Sequence, residues 1–197
     1  MGLDMYLYRL EKPRPAVSIL NKQSIDTLRD LNYFVVPRDG CEIPANIESI
    51  LPFAKEINID VRYINFDKIH EEFDIPKGAE IRKQYWLSNE ISYTFCLPDK
   101  TSKTITIPRE TFEAEYLIPR KTDAYCWKEE EVGYWREDYK LQDAMHEACD
   151  IHIENCGYYP LSEAMWEVLK EYDPETYEKV KDYRHSRSSV ICYHEWY

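Results

Sequence analysis

The segment from His146 to Cys156 has residue types and a spacing that could bind a metal ion. It is written HEACDIHIENC and places two histidines and two cysteines close together in the chain. Imidazole nitrogens and thiolates are the ligands that zinc prefers. If the segment is helical, His146, Cys149 and His152 share one face of the helix. The sequence therefore raises the question of whether this chain is a metal-dependent enzyme.

The axial rise of a helix argues against a metal site on this segment. His146 and His152 would be about 9 Å apart along the axis, at about 1.5 Å per residue, whereas zinc–ligand bonds are only about 2.0–2.3 Å long. His152 and Cys156, at i and i+4, would need further ligands from elsewhere, and the spacing matches no standard zinc module. We expect instead a helix whose inner face includes Cys149, with His146 or His152 packed and hydrogen-bonded beside it. These four residues are secondary metal candidates, and no cofactor is predicted.

Other patterns that could do chemistry are less specific. The sequence contains no GxSxG, no HExxH and no glycine-rich phosphate loop. Glu129, Glu130 and Glu131 could bind a metal, although three successive acids point in different directions and indicate a solvated turn. The stretch from Tyr183 to Ser189 contains Arg184, Arg187 and three serines and could hold a phosphate, or it could be a linker. The balance favours a protein that is not an enzyme.

The negative charge of the chain is concentrated in one segment. The net charge is −12. From Lys128 to Asp182 there are 16 acidic and 6 basic residues, which gives −10, and the remaining 21 acidic and 19 basic residues give −2. Direct binding to a nucleic-acid backbone is disfavoured, because phosphates require basic partners. An acidic face can attract a basic protein surface, including one built to hold nucleic acid; solubility is the alternative interpretation.

The elements that must position these residues follow an α+β pattern. Alternation in LDMYLYRL and SVICYHEWY predicts a strand at each terminus, and the shared aromatic residues suggest that the two strands pair. ISYTFCL and KTITI predict a hairpin, and EAEYLI and DAYCW predict further strands. A helix is predicted to carry Leu141, Met145, Ala148 and His152 and to end at Gly157. Two more helices should begin at Ser162 and at Asp173, which is followed by Pro174.

We therefore predict an α+β protein with an antiparallel sheet, in which residues 1–127 are β-rich, 133–184 are helical and 189–197 form a terminal strand. The length suits a single domain over 1–197, or one domain with an insertion. No apolar run approaches the roughly 20 residues of a membrane span. The N-terminus lacks a basic region followed by a long apolar core, so no signal peptide is expected. A cytoplasmic location is predicted.

Aromatic residues mark both ends of the long predicted helix. GYWRE precedes it and CGYYP follows it. Tyrosine and tryptophan are favoured at interfaces, although the same residues could instead close the core around the helix ends. The binding candidates are these aromatic residues together with a neighbouring arginine, three glutamates of the acidic segment and the two arginines of the possible phosphate segment: Tyr134, Trp135, Arg136, Tyr158, Tyr159, Glu163, Glu167, Glu171, Arg184 and Arg187.

Three segments, MGLDMYLY, EVGYWR and NCGYYPLS, resemble a family of small phage and prophage proteins in the same order along the chain. Members of that family open with MGLDMYL, carry a GYWRK element before a helix, and end in a short aromatic segment comparable to CYHEWY. Here Glu137 replaces the lysine, and Tyr139 and Gln142 occupy the places of an asparagine and a histidine. Any chemistry of that pair would be lost in this chain. The resemblance implies a phage or mobile-element origin, and hence a bacterial host cell.

Three hypotheses follow from these patterns. The first is a non-enzymatic, anti-CRISPR-like inhibitor of a host defence protein, which binds a basic surface through its acidic face. The second is a protein that binds or cleaves a nucleotide-like ligand, with Arg184 and Arg187 on its phosphate. The third is a metal-dependent hydrolase that uses His146, His152 and nearby carboxylates. We favour the first.

Overall fold

The computed structural model describes residues 2–38 and 44–197, which divide into two compact units. One unit is formed by Met1–Ile59 and Thr122–Tyr197, and the other by Asp60–Lys121. The second unit is therefore an insertion in the chain of the first. Antiparallel sheets occur in both units, and the two longest helices lie in the C-terminal part. This arrangement confirms the predicted α+β class.

Nine strands, seven α-helices and three short 3-10 helices are found in the described residues. The strands are β1 (Asp4–Glu11), β2 (Tyr33–Pro37), β3 (Lys55–Ile64), β4 (Glu80–Trp86), β5 (Glu90–Cys96), β6 (Ser102–Pro108), β7 (Leu117–Arg136), β8 (Tyr159–Pro160) and β9 (Ser189–Trp196). The helices are α1 (Val17–Leu20), α2 (Ile25–Asp30), α3 (Phe66–Glu72), α4 (Arg109–Glu115), α5 (Tyr139–Ala148), α6 (Glu163–Tyr172) and α7 (Pro174–Val180). None of these helices has the length and apolar character that crossing a membrane requires.

The first unit is built on a six-stranded sheet. Its strand order is β2-β7-β1-β9-β8, and β3 also pairs with β7. Strand β1 lies between β7 and β9 and is antiparallel to both, so the predicted pairing of the terminal strands is confirmed. Because side chains alternate along a strand, Met5 and Leu7 point to one face of the sheet and Tyr6 and Tyr8 to the other.

Helices α5, α6 and α7 supply the core on the Met5 side of the sheet. Met5 and Leu7 are fully buried there with Leu141, Met145 and Leu169.

The two predicted helix starts are confirmed. The Ser162 hydroxyl accepts the Met165 N–H at 3.2 Å, and the Asp173 carboxylate accepts the Thr176 N–H at 2.9 Å. Such caps satisfy N–H groups that have no partner within the helix.

The helix α5 is shorter than its sequence pattern predicts. It ends at Ala148 instead of continuing to Gly157, and Cys149 already has an extended backbone. The chain leaves the helix because Ile153 packs into the core and the Cys156 N–H donates to the Glu195 carbonyl at 2.9 Å. His152 is therefore not on α5, and the expected common helical face of His146, Cys149 and His152 is wrong.

Two other boundaries differ from the prediction. EAEYLI is half helix: its first three residues end α4 and its last two begin β7. Phe112 and Tyr116 are four residues apart and their rings stack at 5.9 Å, a helical spacing rather than a strand spacing. The residues Gly133–Arg136 belong to β7, so the helical region begins only at Tyr139. Glu129, Glu130 and Glu131 also lie within β7, and the expected solvated turn is wrong.

The second unit contains a three-stranded sheet of order β4-β5-β6. The predicted hairpin is confirmed as β5 and β6, which pair from Glu90 opposite Pro108 to Cys96 opposite Ser102. Ile91, Tyr93 and Phe95 are buried on one face of this sheet. Strand β4 is an edge strand, and all seven of its residues are exposed.

Candidate functional site

The face of the six-stranded sheet opposite the helices carries aromatic and acidic side chains in register. Tyr6 lies between Tyr134 of β7 and His194 of β9, and one step along the face Asp4 lies between Arg136 and Trp196. We call this end of the face the open face. It comprises Asp4, Tyr6, Tyr8, Glu131, Tyr134, Arg136, His194 and Trp196.

Four rings of the open face, Tyr6, Tyr8, Tyr134 and His194, form one contact cluster. Tyr6 stacks on Tyr8 with a centroid distance of 5.5 Å and lies 5.1 Å from Tyr134 and 6.0 Å from the His194 ring. Tyr134, at the edge of the cluster, is 46% exposed, and Trp196, which pairs with Asp4, is 57% exposed. Large aromatic side chains held rigidly by a sheet give contact area at low entropic cost, which suits them to binding.

Carboxylates border the cluster. Asp4 Oδ1 accepts the Tyr134 hydroxyl at 2.7 Å, and Arg136 Nε lies 3.9 Å from the same oxygen. This hydrogen bond raises the pKa of Tyr134. Burial, followed by the nearby Asp4 and Glu131 carboxylates, raises the pKa of Tyr6. Both phenols therefore stay neutral near pH 7, and the net charge of this surface is set by its carboxylates and Arg136.

The open face continues into a partly buried polar contact at Glu129. Its Oε2 atom accepts hydrogen bonds from Trp127 Nε1 at 3.0 Å and from the Tyr158 hydroxyl at 2.7 Å. Burial raises the pKa of Glu129 and outweighs both hydrogen bonds, which act in the opposite direction. A cavity of about 390 Å³ adjoins this carboxylate, Asn32 and Lys128. The contact fixes Tyr158 beneath the aromatic cluster.

His194 joins the aromatic cluster to the CGYYP segment. Its Nδ1 atom is 2.9 Å from the Gly157 carbonyl oxygen, and its ring centroid is 5.0 Å from that of Tyr158. Burial lowers the pKa of His194, so the ring is neutral at pH 7. A Cβ atom at Gly157 would lie 2.5 Å from the Tyr159 ring, which explains the glycine of this segment by close packing.

A fully buried carboxylate, Glu195, lies on the opposite side of β9 from His194. Its oxygens accept hydrogen bonds from the Tyr193 hydroxyl and the Gln142 amide, both at 3.1 Å, and His146 Nε2 lies 3.0 Å from Oε1. Buried carboxylates require such partners because losing water is costly. The network ties β9 to the inner face of α5. A carboxylate beside an imidazole is also an arrangement that suits proton transfer. The His146 side chain is 34% exposed, so its ring is accessible to solvent.

The four secondary metal candidates have separate surroundings. His146 is bound to Glu195, Cys149 packs against the core, His152 is exposed, and Cys156 adopts a left-handed backbone with φ of 62°. Within residues 2–38 and 44–197, no group of three or more His, Cys, Asp or Glu side chains is arranged to hold a metal ion.

The structure separates the aromatic binding candidates. Tyr134 and Arg136 lie on the open face, whereas Trp135 points to the helix side and donates from Nε1 to Asp173 at 3.1 Å. Tyr158 and Tyr159 are buried. Sequence reasoning missed Asp4, His194 and Trp196, and the signal that could have found them is the alternation of the two terminal strands once they are paired.

The charged candidates on the helix side compensate one another. Arg184 donates from Nε to Glu163 at 3.1 Å and from Nη1 to Glu167 at 3.2 Å. These glutamates, Glu163 first, raise the pKa of Arg184. The guanidinium of Arg184 is therefore already bound to two glutamates of α6. Glu171 is exposed on α6, and Arg187 lies apart and lines a separate cavity.

The outer face of α5 presents uncompensated negative charge. Tyr139, Asp143 and Glu147 follow one another at i and i+4, and Tyr139 is 57% exposed. In the described part of the chain, no lysine or arginine forms an ion pair with Asp143 or Glu147. Like charges four residues apart destabilise a helix slightly. This stripe is therefore available to attract an external cation.

Comparison with known protein families, curated proteins and solved structures finds no match to this chain. The assignment of function depends on the chemistry of the sites described above. Among these, the open face combines exposed aromatic rings with carboxylates. In the Glu195 network, the carboxylate is buried and its oxygens are already bonded to side chains of this chain.

Proposed function

We propose that this chain is a non-enzymatic binding protein whose open face docks on a basic surface of a partner protein. The observation that carries this proposal is the ring cluster of the open face, in which the half-buried Tyr6 packs against the exposed Tyr134. The exposed Trp196 and the Asp4 and Glu131 carboxylates lie beside it. Tyrosine and tryptophan dominate binding energy at protein interfaces. Carboxylates at the rim favour lysine and arginine on the partner.

The acidic stripe on α5 has a second role in this proposal. Asp143 and Glu147 add to a net charge of −12, and such a field accelerates the approach of a basic partner. Because charges outside the contact act mainly on association, their removal should change the association rate and its salt dependence more than the dissociation rate. The open face, in contrast, should govern dissociation.

The resemblance of MGLDMYLY, EVGYWR and NCGYYPLS to phage proteins supports placing the partner in a host defence system. A nucleic-acid-guided nuclease fits this chemistry, because its nucleic-acid channel is positively charged. An acidic protein that occupies such a channel would compete with nucleic acid without imitating its bases. Function then requires no catalytic residue in this chain.

The experiment that tests the proposal begins with native mass spectrometry of the protein purified from a bacterial host without chelator. The captured partner is then titrated with wild type and with Tyr134→Ala, Trp196→Ala and the control Tyr172→Ala. Tyr172 is an equally exposed tyrosine on α6. Each open-face variant should weaken binding about tenfold or more, which corresponds to about 1.4 kcal/mol, and the control should not.

A double charge variant tests the acidic stripe on α5 separately from the open face. Asp143→Lys with Glu147→Lys should slow association at low salt and leave dissociation nearly unchanged. If both open-face variants bind as tightly as wild type, the open face is not the interface. A partner that carries an acidic surface would also contradict the proposal.

A further inference from the structure

A second site lies where the end of β1 meets the start of β9. Glu11 pairs with Ser189 in the sheet, so the residues that follow Glu11 lie near those that precede Ser189. A cavity of about 340 Å³ forms there, and Lys12, Arg14 and Arg187 line it. Its volume lies within the range of small-molecule sites, which is about 300–1,000 Å³.

The charge of this cavity is opposite to that of the chain. Three cations line it, and Glu11 is its one carboxylate among the described lining residues. Glu11 lies 3.4 Å from Arg9 Nε. Across residues 2–38 and 44–197, neither Lys12, Arg14 nor Arg187 forms an ion pair with a carboxylate. Like cations brought together without counter-charges repel one another, so an anionic ligand would relieve this repulsion.

Arg187 differs from the neighbouring Arg184 in what its guanidinium faces. Arg184 and Arg187 come from one segment, yet Arg184 is bound to two glutamates of α6, whereas Arg187 faces a cavity with two other cations. A guanidinium fork can bind two phosphate oxygens at once. Two arginines and a lysine are therefore well suited to a ligand with more than one phosphate.

The other residues that line the cavity indicate which class of phosphate-bearing ligand it suits. Phe53 lines it from the 3-10 turn Leu51–Phe53, and its side chain is partly exposed. Aromatic rings stack on nucleic-acid bases with little dependence on sequence. Ser188 adds a neutral hydroxyl. Phosphate-binding cations and a ring in one small cavity favour a nucleotide over inorganic phosphate alone.

We propose that this cavity binds a nucleotide carrying two or more phosphates. Lys12, Arg14 and Arg187 hold the phosphates, and Phe53 contacts the base. The site is separate from the open face and does not depend on the proposed protein partner. No bond is made or broken in this proposal, because binding alone is assigned.

The test is isothermal titration calorimetry of the full chain with two probes, ATP and inorganic pyrophosphate, in the absence of metal and at two salt concentrations. Wild type should bind ATP saturably. Arg14→Gln and Arg187→Gln should each weaken the affinity for both probes tenfold or more. The control Arg82→Gln removes the same charge from an exposed residue of β4 and should leave both affinities unchanged.

A third variant separates the base from the phosphates. Phe53→Leu should weaken ATP binding at least threefold and leave pyrophosphate binding unchanged; unchanged ATP affinity would overturn the nucleotide assignment. No saturable binding of either probe to wild type would overturn the site itself. An equal loss in Arg82→Gln would do the same, because it would show attraction to overall charge. Thermal unfolding of each variant checks that its fold is retained.

Discussion

Replacing Glu195 by alanine should destabilise the first unit by about 2–5 kcal/mol, because the truncation leaves a cavity and removes the acceptor of a buried hydroxyl. The carboxylate is fully buried and accepts from Tyr193, Gln142 and His146. Gln142 and His146 are partly exposed, so water can replace their lost bonds. Tyr193 is fully buried, and its unpaired hydroxyl alone accounts for about 1–3 kcal/mol of the loss.

The measurement is urea unfolding at pH 7, followed by tryptophan fluorescence. Four of the five tryptophans lie in the first unit, so a Trp86→Phe background makes the signal specific to it. Single domains are stable by about 5–15 kcal/mol, so the midpoint should fall markedly. Glu195→Gln is the matched control, because it keeps the size and one acceptor oxygen and should lose about 1–3 kcal/mol.

A double-mutant cycle isolates the buried hydroxyl. Tyr193→Phe should cost about 1 kcal/mol in wild type, where it removes a hydrogen bond. In the Glu195→Ala background it should cost nothing or be stabilising, because it removes an unpaired hydroxyl. Equal effects of Tyr193→Phe in the two backgrounds, or a Glu195→Ala midpoint near that of wild type, would refute the assignment of Glu195 as the anchor of β9.

Three further changes test the surroundings of the open face. Burial raises the pKa of Glu129 above 4.5 in the folded chain, so this carboxyl ionises first in the unfolded chain. The free energy of unfolding should therefore fall as the pH rises from 4.5 through the raised pKa. Urea unfolding measured at several pH values should show that Glu129→Gln removes this loss. Burial lowers the pKa of His194 below 6.5, so the free energy of unfolding should fall as the pH drops below 6.5. His194→Asn should flatten this dependence of stability on pH. The control His185→Gln, at an exposed histidine, should leave the dependence unchanged. Gly157→Ala should lower the unfolding free energy by about 1–3 kcal/mol, because its Cβ would press on the Tyr159 ring; an unchanged midpoint would mean that this ring moves freely.

Local patterns in the sequence predicted the elements whose cause is local. Ser162 and Asp173 begin helices because their side chains bond to N–H groups three residues on, and alternation marked β1 and β9. The end of α5 was not predictable in this way. It is set by Ile153 entering the core and by Cys156 bonding to β9, and the partners of both residues are distant in sequence.

The site residues, too, depend on contacts between parts of the chain that are distant in sequence. The linear spacing of HEACDIHIENC suggested a shared metal, but His146 is bound by Glu195, which lies 49 residues away in the chain. Trp135 and Tyr134 are adjacent in sequence and point to opposite faces of the sheet, since side chains alternate along a strand. Which face is open depends on where the helices pack. Composition alone does not contain that information.

Strand β9 links the buried network to the open face. His194 and Trp196 face the open side, and Glu195 between them faces α5. Because α5 holds the strand through Glu195, the positions of both open-face rings depend on a carboxylate that does not lie on that face. Glu195→Ala should therefore weaken binding of the captured partner, while Glu195→Gln, which keeps the anchor, should weaken it less. The comparison is made below the unfolding transition of each variant. Unchanged partner affinity in folded Glu195→Ala would show that the rings are positioned by β1 and β7 alone.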